Sequence, residues 1–263
     1  MTISNPPSIA AVCFSNIRQQ QAKDFCLLNK LPLLKKKSDQ YELLLLFHDD
    51  LIELFDQQLN TTISIDFIKG SLAHRQQYGG GRGQAIAKAI GLKSAATPNV
   101  LDVTAGLAGD AFILATLGCP VTLIERSPIL FTLIENAVQR ASLSDSFETI
   151  LKQGFGLLNC DANEYIKNQL ANNHPAPDVI YIDPMYPIRK KSALVKKDMQ
   201  ILQRLHEKDD INAPDLLENA LHYAKKRVVV KRPLHAESLN NRQPNTCVKS
   251  KNTRYDIYTI EKM

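Results

Sequence analysis

The chain contains no CxxC pair, no HExxH and no apolar run near the roughly 20 residues that span a bilayer. Its five cysteines, Cys13, Cys26, Cys119, Cys160 and Cys247, are scattered and odd in number. That argues against a disulfide framework and reads as reduced core thiols of a cytosolic protein. His48, His74, His174, His206, His222 and His235 share no metal-ligand spacing, so no metal is expected. No signal-like leader opens the chain, and apolar runs such as LLLLF from Leu43 to Phe47 are strand-sized. These absences point to a cytoplasmic protein with no membrane partner. There is no internal repeat or low-complexity tract, and nothing in the residues bears on oligomeric state.

What is present is a globular composition: 263 residues, 44% hydrophobic and 22% charged, suit one large domain or a medium domain with a small appendage. Lys and Arg outnumber Asp and Glu 32 to 27, for a net charge of +5. The bias toward polyanionic partners is mild, and many proteins without nucleic-acid partners share it.

IAAVCF from Ile9 reads as a strand, the segment after it as a helix, YELLLLFHDDLIELFD as a hairpin turning at His48, Asp49 and Asp50, and ISIDFI as a further alternating strand. Residues 1–70 are thus expected to form a small α+β module. SLAHRQQYGGGRGQAIAKAIG, with Gly79, Gly80, Gly81 and Gly83, marks the expected junction to a second domain, 71–263. There, strands and helices alternate: NVLDVTA, a helix from Asp110 to Leu117, VTLIER, a helix from Pro128 to Ala141 capped by Ser127, FGLLNCD, a short helix, VIYIDP, a long polar stretch, a helix and RVVVKRP. NTCVKS and RYDIYTI close the chain as an antiparallel pair. The fold class expected is α/β: a mostly parallel, Rossmann-like, seven-stranded sheet with a C-terminal hairpin.

Ligands of such sheets bind beyond the carboxyl ends of the strands. Four acids fall at or near successive strand ends: Asp102, Glu125, Asp161 and Asp183. After the first strand Gly106 and Gly109 allow a tight turn before the helix that begins at Asp110, but the full GxGxxG of dinucleotide binding is lacking. Two carboxylates there would repel a pyrophosphate and attract a sulfonium, which favours S-adenosylmethionine. Glu125 fits an acceptor for ribose hydroxyls and Asp161 one for an adenine amino group. The plain alternative is that each acid caps the helix after it.

DVTAGLAGDAF, VTLIERSP, VIYIDPMYP, KSALVKKDM, RVVVKRP, RYDIY and HRQQYGGGRGQAIAKAIG together resemble the RsmJ family, from about Ile65 to the C-terminus; residues 1–60 match only loosely. The resemblance implies a class I S-adenosylmethionine-dependent methyltransferase acting on the exocyclic N2 of a guanosine in 16S rRNA of the small ribosomal subunit. By position it puts cofactor contacts at Gly109, Asp110, Glu125, Arg126, Asp161, Ala162 and Asp183. This chain has Gly109 where the family commonly has arginine, and Asp161 where it has a small polar residue.

In DPMYP, Asp183 and the carbonyl of Pro184 can accept hydrogen bonds from a guanine amino group, drawing its nitrogen toward tetrahedral geometry and orienting it for attack on a methyl donor. Tyr186 can stack on the base. Met185 stands where related amino-directed enzymes have a second proline. RKKSALVKK supplies Arg189, Lys190, Lys191, Lys196 and Lys197 for RNA phosphates, with Lys231 and Arg232 extending the basic rim and Arg82 offered by the glycine loop. An ordinary solvated lysine face or strand-terminating turn is the plain reading of these segments. Other readings are methylation of another RNA or of DNA, a nucleotide-dependent oxidoreductase, and a non-catalytic RNA-binding module.

Overall fold

A computed structural model describes residues 8–70, 72, 74–75, 79–92, 97–184, 197–206 and 213–263. The helices used below are α1 (Gln19–Asn29), α2 (Ala85–Ala89), α3 (Gly109–Thr116), α4 (Pro128–Ala141), α5 (Asp145–Gly154), α6 (Ala162–Ala171), α7 (Lys197–His206) and α8 (Ala213–Tyr223). The chain falls into two compact units. Described residues of Met1–Ile65, Ser127–Arg140 and Met185–Lys208 make the first; those of Asp66–Arg126, Ala141–Pro184 and Asp209–Met263 make the second.

The first unit is built on five strands, β1 (Ile9–Cys13), β2 (Leu33–Leu34), β3 (Leu43–Phe47), β4 (Ile52–Asp56) and β5 (Thr61–Ile63), in the order β2-β1-β3-β4-β5. β1 runs parallel to β2 and β3, with α1 as the crossover, while β3, β4 and β5 are antiparallel. LLLLF forms β3, and every residue in it is at most 1% exposed, as a central strand covered on both faces requires. His48, Asp49 and Asp50 do make the turn into β4.

The strand forms over Thr61–Ile63, so ISIDFI contributes only its first residue; further on, the Asp66 side chain accepts the N–H groups of Ile68 and Lys69, both at 2.8 Å, and turns the chain. α4 is hydrogen-bonded to the hairpin of this unit. Buried Asn136 accepts the Ile52 N–H at 3.0 Å, and Arg140 donates to the Ile65 carbonyl. α7 lies in what reads from sequence as a featureless polar stretch. Its Arg204 pairs with Asp56, 2.5 Å away and fully buried.

The second unit holds seven strands, β6 (Val100–Asp102), β7 (Val121–Ile124), β8 (Phe155–Leu158), β9 (Val179–Ile182), β10 (Arg227–Pro233), β11 (Thr246–Lys249) and β12 (Thr253–Thr259). Their order is β11-β12-β10-β9-β6-β7-β8, with β8 through β10 parallel and β12 antiparallel to both its neighbours. This is the mixed, mostly parallel sheet with a terminal hairpin expected from the strand and helix alternation. The order reverses between β6 and β9, so the crevice for a ligand opens at their carboxyl ends.

Alternation along β9 and β10 sorts the two faces. Ile180, Ile182, Val228 and Val230 join Leu101, Leu217 and Ala220 in one buried cluster. The intervening Tyr181 and Lys231 turn to the other face. α5, unforeseen from sequence, buries Phe147 and Ile150. Phe147 stacks on Phe67 and Phe112 with centroids 5.7 and 6.2 Å away, and meets Phe155 edge-on. Removing one such ring typically costs about 3–5 kcal/mol.

Candidate functional site

The site grows from the ends of β6 and β9. Asp102, the last residue of β6, is 2% exposed; its Oδ1 accepts the Thr104 N–H at 3.0 Å and the Thr104 hydroxyl at 3.4 Å. The same hydroxyl oxygen accepts the Asp183 N–H at 2.7 Å, tying the two strand ends together. Burial drives the Asp102 carboxyl up to about 7, against the lowering effect of the Thr104 N–H, with Asp110 and Asp183 adding to the rise.

Between β6 and α3 the chain turns through Gly106 at φ +56° and Ala108 at φ +57°. The left-handed conformation suits glycine at the first position. The freed Gly106 N–H donates to Glu125 Oε2 at 2.9 Å, and Glu125 at the end of β7 is buried. Asn159 Nδ2 then donates to the carbonyls of Glu125 and Arg126 at 2.7 and 3.3 Å, which links β7 to β8. Asp161 caps α6, accepting the N–H groups of Asn163 and Glu164 at 2.9 and 3.1 Å, and Ala162 opens that helix. For Asp161 the capping alternative therefore describes what one of its oxygens does.

Asp110, in the first turn of α3, is the hub. Oδ1 meets Arg75 Nη1 at 2.7 Å, and Oδ2 accepts from the Tyr181 hydroxyl at 2.7 Å and from Lys231 Nζ at 2.8 Å. Lys231 reaches on to Asp183 Oδ2, also at 2.8 Å. Burial alone would raise Asp110, but Lys231 and Arg75 outweigh it and bring its carboxyl down to about 2. Asp183 goes the other way: burial pushes it up, Lys231 opposes, and the Asp110 carboxylate adds to the rise. Asp110 has two cations and a phenol, whereas Asp183 shares one cation, so Asp110 is the first of the two to ionise. Burial and the same carboxylates hold the Tyr181 phenol well above its ordinary value, so it remains a donor.

A SAM-dependent methyltransferase family model matches residues 26–260 of this chain. The ribosomal RNA small subunit methyltransferase J of Psychromonas ingrahamii is 43% identical over 255 residues, covering 97% of each chain. The chain belongs to that family. The enzyme of the same description from Shewanella amazonensis is 48% identical over 84% of this chain and 88% of its own. A crystal structure of a SAM-dependent methyltransferase from Neisseria gonorrhoeae, 29% identical, superposes with a TM-score of 0.74 over 95% of this chain and 96% of that one.

S-adenosylmethionine is the family's cofactor, and the donor set here fits it. The carboxyl edge of the sheet carries Asp102, Glu125, Asp161 and Asp183 round a glycine turn, acceptors that suit a sulfonium and hydroxyl donors and would repel a pyrophosphate. By family position Gly109, Asp110, Glu125, Arg126, Asp161, Ala162 and Asp183 would hold it, with Asp102 and Gly106 at the turn beside them.

Among the remaining expected residues, Pro184 is buried beside Asp183, while Tyr186, Arg189, Lys190, Lys191 and Lys196 lie outside the described residues. Lys197 is exposed and donates to the Leu59 carbonyl at 3.0 Å. Arg82 is exposed on the Gly81–Gly83 turn, its guanidinium 3.5 Å from the Leu117 carbonyl. Lys231, expected on a basic rim, lies between two carboxylates, and Arg232 is 7% exposed with its guanidinium donating to the Glu237 carbonyl. Strand alternation explains both: consecutive residues of β10 face opposite ways, and neither points along the strand toward its end.

Sequence reasoning missed Thr104 and Tyr181, and did not link Arg75 to Asp110. The period of two from Asp183 places Tyr181 on the same face, so that signal was available. Arg75 precedes the glycine loop and gives no local sign of its partner. Among the described residues no group of three or more His, Cys, Asp or Glu could hold a metal, and no helix is long and apolar enough to cross a membrane.

Proposed function

We propose that this protein transfers a methyl group from S-adenosylmethionine to the exocyclic N2 of one guanosine in the 16S rRNA of the small ribosomal subunit, in the cytoplasm. The observation that carries the reading is Asp183 at the switch point of the sheet: one oxygen is held by Lys231, and the other accepts no hydrogen bond among the described residues. Family membership supplies the substrate class.

A guanine amino nitrogen is a poor nucleophile because its lone pair is delocalised into the ring. Asp183 Oδ1 and the Pro184 carbonyl accept its two N–H bonds, pull it toward tetrahedral geometry and aim its lone pair. When bound, S-adenosylmethionine would supply an electrophilic methyl, its S–C bond breaking as the N–C bond forms and the electron pair returning to sulfur. Asp183 opposes the positive charge that develops on nitrogen, then takes the surplus proton and passes it to solvent, to which 36% of its side chain is open. Tyr186 stacks on the base, and Arg189, Lys190, Lys191, Lys196 and Lys197 neutralise phosphates beside it. Residues 71–263 carry the reaction, with 1–70 as an appended module.

Labelled methyl transfer to small subunits, free 16S rRNA and duplex DNA, followed by digestion to nucleosides, tests this. Label in N2-methylguanosine from the ribosomal substrates is the expected result; label confined to DNA or to another base contradicts it.

A further inference from the structure

The Lys231 ammonium lies 2.8 Å from Asp110 Oδ2 and 2.8 Å from Asp183 Oδ2, with 25% of its side chain exposed. The two carboxylates it joins are unequally anchored. Asp110 is 10% exposed and fixed by Arg75 at 2.7 Å and by the Tyr181 hydroxyl at 2.7 Å. The Asp183 side chain is 36% exposed and has Lys231 as its one side-chain partner among the described residues. We propose that Lys231 is a positioning residue, tethering Asp183 to the fixed Asp110 so that Oδ2 is held and Oδ1 faces the target amine. The inference rests on the reading given under Proposed function and adds a residue to it.

The charges round Asp183 give the tether its force. It is faced by Lys231 from β10, Asp110 from α3, Asp102 from β6 and the Tyr181 phenol of its own strand, with Arg75 and Tyr255 behind Asp110. Without Lys231 the ionised groups that directly face Asp183, among the described residues, are anions. The carboxylate would then swing toward water or take up a proton, and a protonated carboxyl no longer offers the amine a charged acceptor. A lysine already shared by two carboxylates also has little to give an RNA phosphate, the role a basic rim would assign to it.

The test uses the full-length protein with Lys231→Met and Lys231→Arg, measuring kcat and KM on small subunits across pH, together with thermal stability. In Lys231→Met, kcat at neutral pH falls about tenfold or more through misplacement of the acceptor. The acid limb of its kcat profile moves up by about one unit or more as the opposing charge is lost. Activity therefore partly returns at higher pH, and Lys231→Arg restores the position of the limb.

A change confined to KM and to salt dependence would make Lys231 a phosphate ligand and overturn the proposal. So would a lowered melting temperature with an unmoved limb. If Lys231→Met does not fold, Lys231→Gln, neutral but still able to hydrogen-bond, is read in the same way. Carbon NMR titration of Asp183, assigned with Asp183→Asn, separates the two possible failures. An Asp183 titration that rises in Lys231→Met upholds the tether even if wild type leaves small subunits unmethylated; an unmoved one overturns it.

Discussion

Glu125 Oε2 accepts the Gly106 N–H at 2.9 Å, joining the end of β7 to the turn after β6. Glu125 is buried and Gly106 partly so, and breaking the bond leaves a partly buried backbone donor without this acceptor. Glu125→Ala is expected to lose about 1–3 kcal/mol of stability, whereas Glu125→Gln, which keeps an acceptor, loses less. Cofactor affinity, measured by calorimetry, falls in both variants, since each removes the charged acceptor assigned to ribose. Unchanged affinity in Glu125→Ala would take Glu125 out of the cofactor site.

Asp102 gives the protein a stability that declines toward neutral pH. Its folded value of about 7 lies above the ordinary 3.8, so the folded state binds the proton more tightly. That contribution is complete below pH 3.8 and is lost as pH rises through about 7. Asp102→Asn carries no such penalty. In urea melts at pH 5 and pH 8, the variant is expected to gain on wild type at the higher pH; an equal difference at both would contradict the assignment. Asp110, lowered to about 2, adds stability above the ordinary 3.8 that disappears as pH falls through its folded value.

The sheet was readable from the sequence because its parallel strands are short apolar runs ending in acids, and helix α4 because Ser127 and Pro128 announce its start. α5 escaped because DSFETILKQG buries only Phe147 and Ile150, too sparse a stripe to stand out. α7 escaped because its anchor, Arg204, finds Asp56 far away in sequence. At the site, strand-end acids were visible as such, but what each one touches depended on pairing across the sheet. Nothing local to Lys231 announces that it reaches Asp110 and Asp183, and KRP at a strand end reads as a basic rim.

Arg204 and Asp56 supply a stability test in the first unit. Asp56 is fully buried, capping the Leu59 N–H at 2.8 Å and pairing with Arg204. Arg204→Met strands that carboxylate and is expected to cost about 3 kcal/mol, read from the urea midpoint. Methyl transfer by the folded fraction should persist. A loss below about 1 kcal/mol would show that the pair contributes no more than a surface one.

The basic stretch after β9 has an ionic-strength consequence. Replacing Arg189, Lys190 and Lys191 by alanine should raise KM for the RNA substrate and flatten its dependence on log salt by about 0.7–0.9 for each phosphate no longer neutralised. Cofactor affinity should be unaffected. An unaltered salt slope would return these residues to an ordinary solvated face.

The central claim is that Asp183 carries methyl transfer to a guanine amino group of small-subunit rRNA. Its most direct test is transfer of labelled methyl from S-adenosylmethionine to small subunits from cells lacking this protein, with wild type and Asp183→Ala side by side. The account predicts label on one guanine with wild type, and its loss in a folded variant that still binds cofactor. Full labelling by Asp183→Ala, or none by folded, cofactor-binding wild type on particles or free RNA, would contradict it.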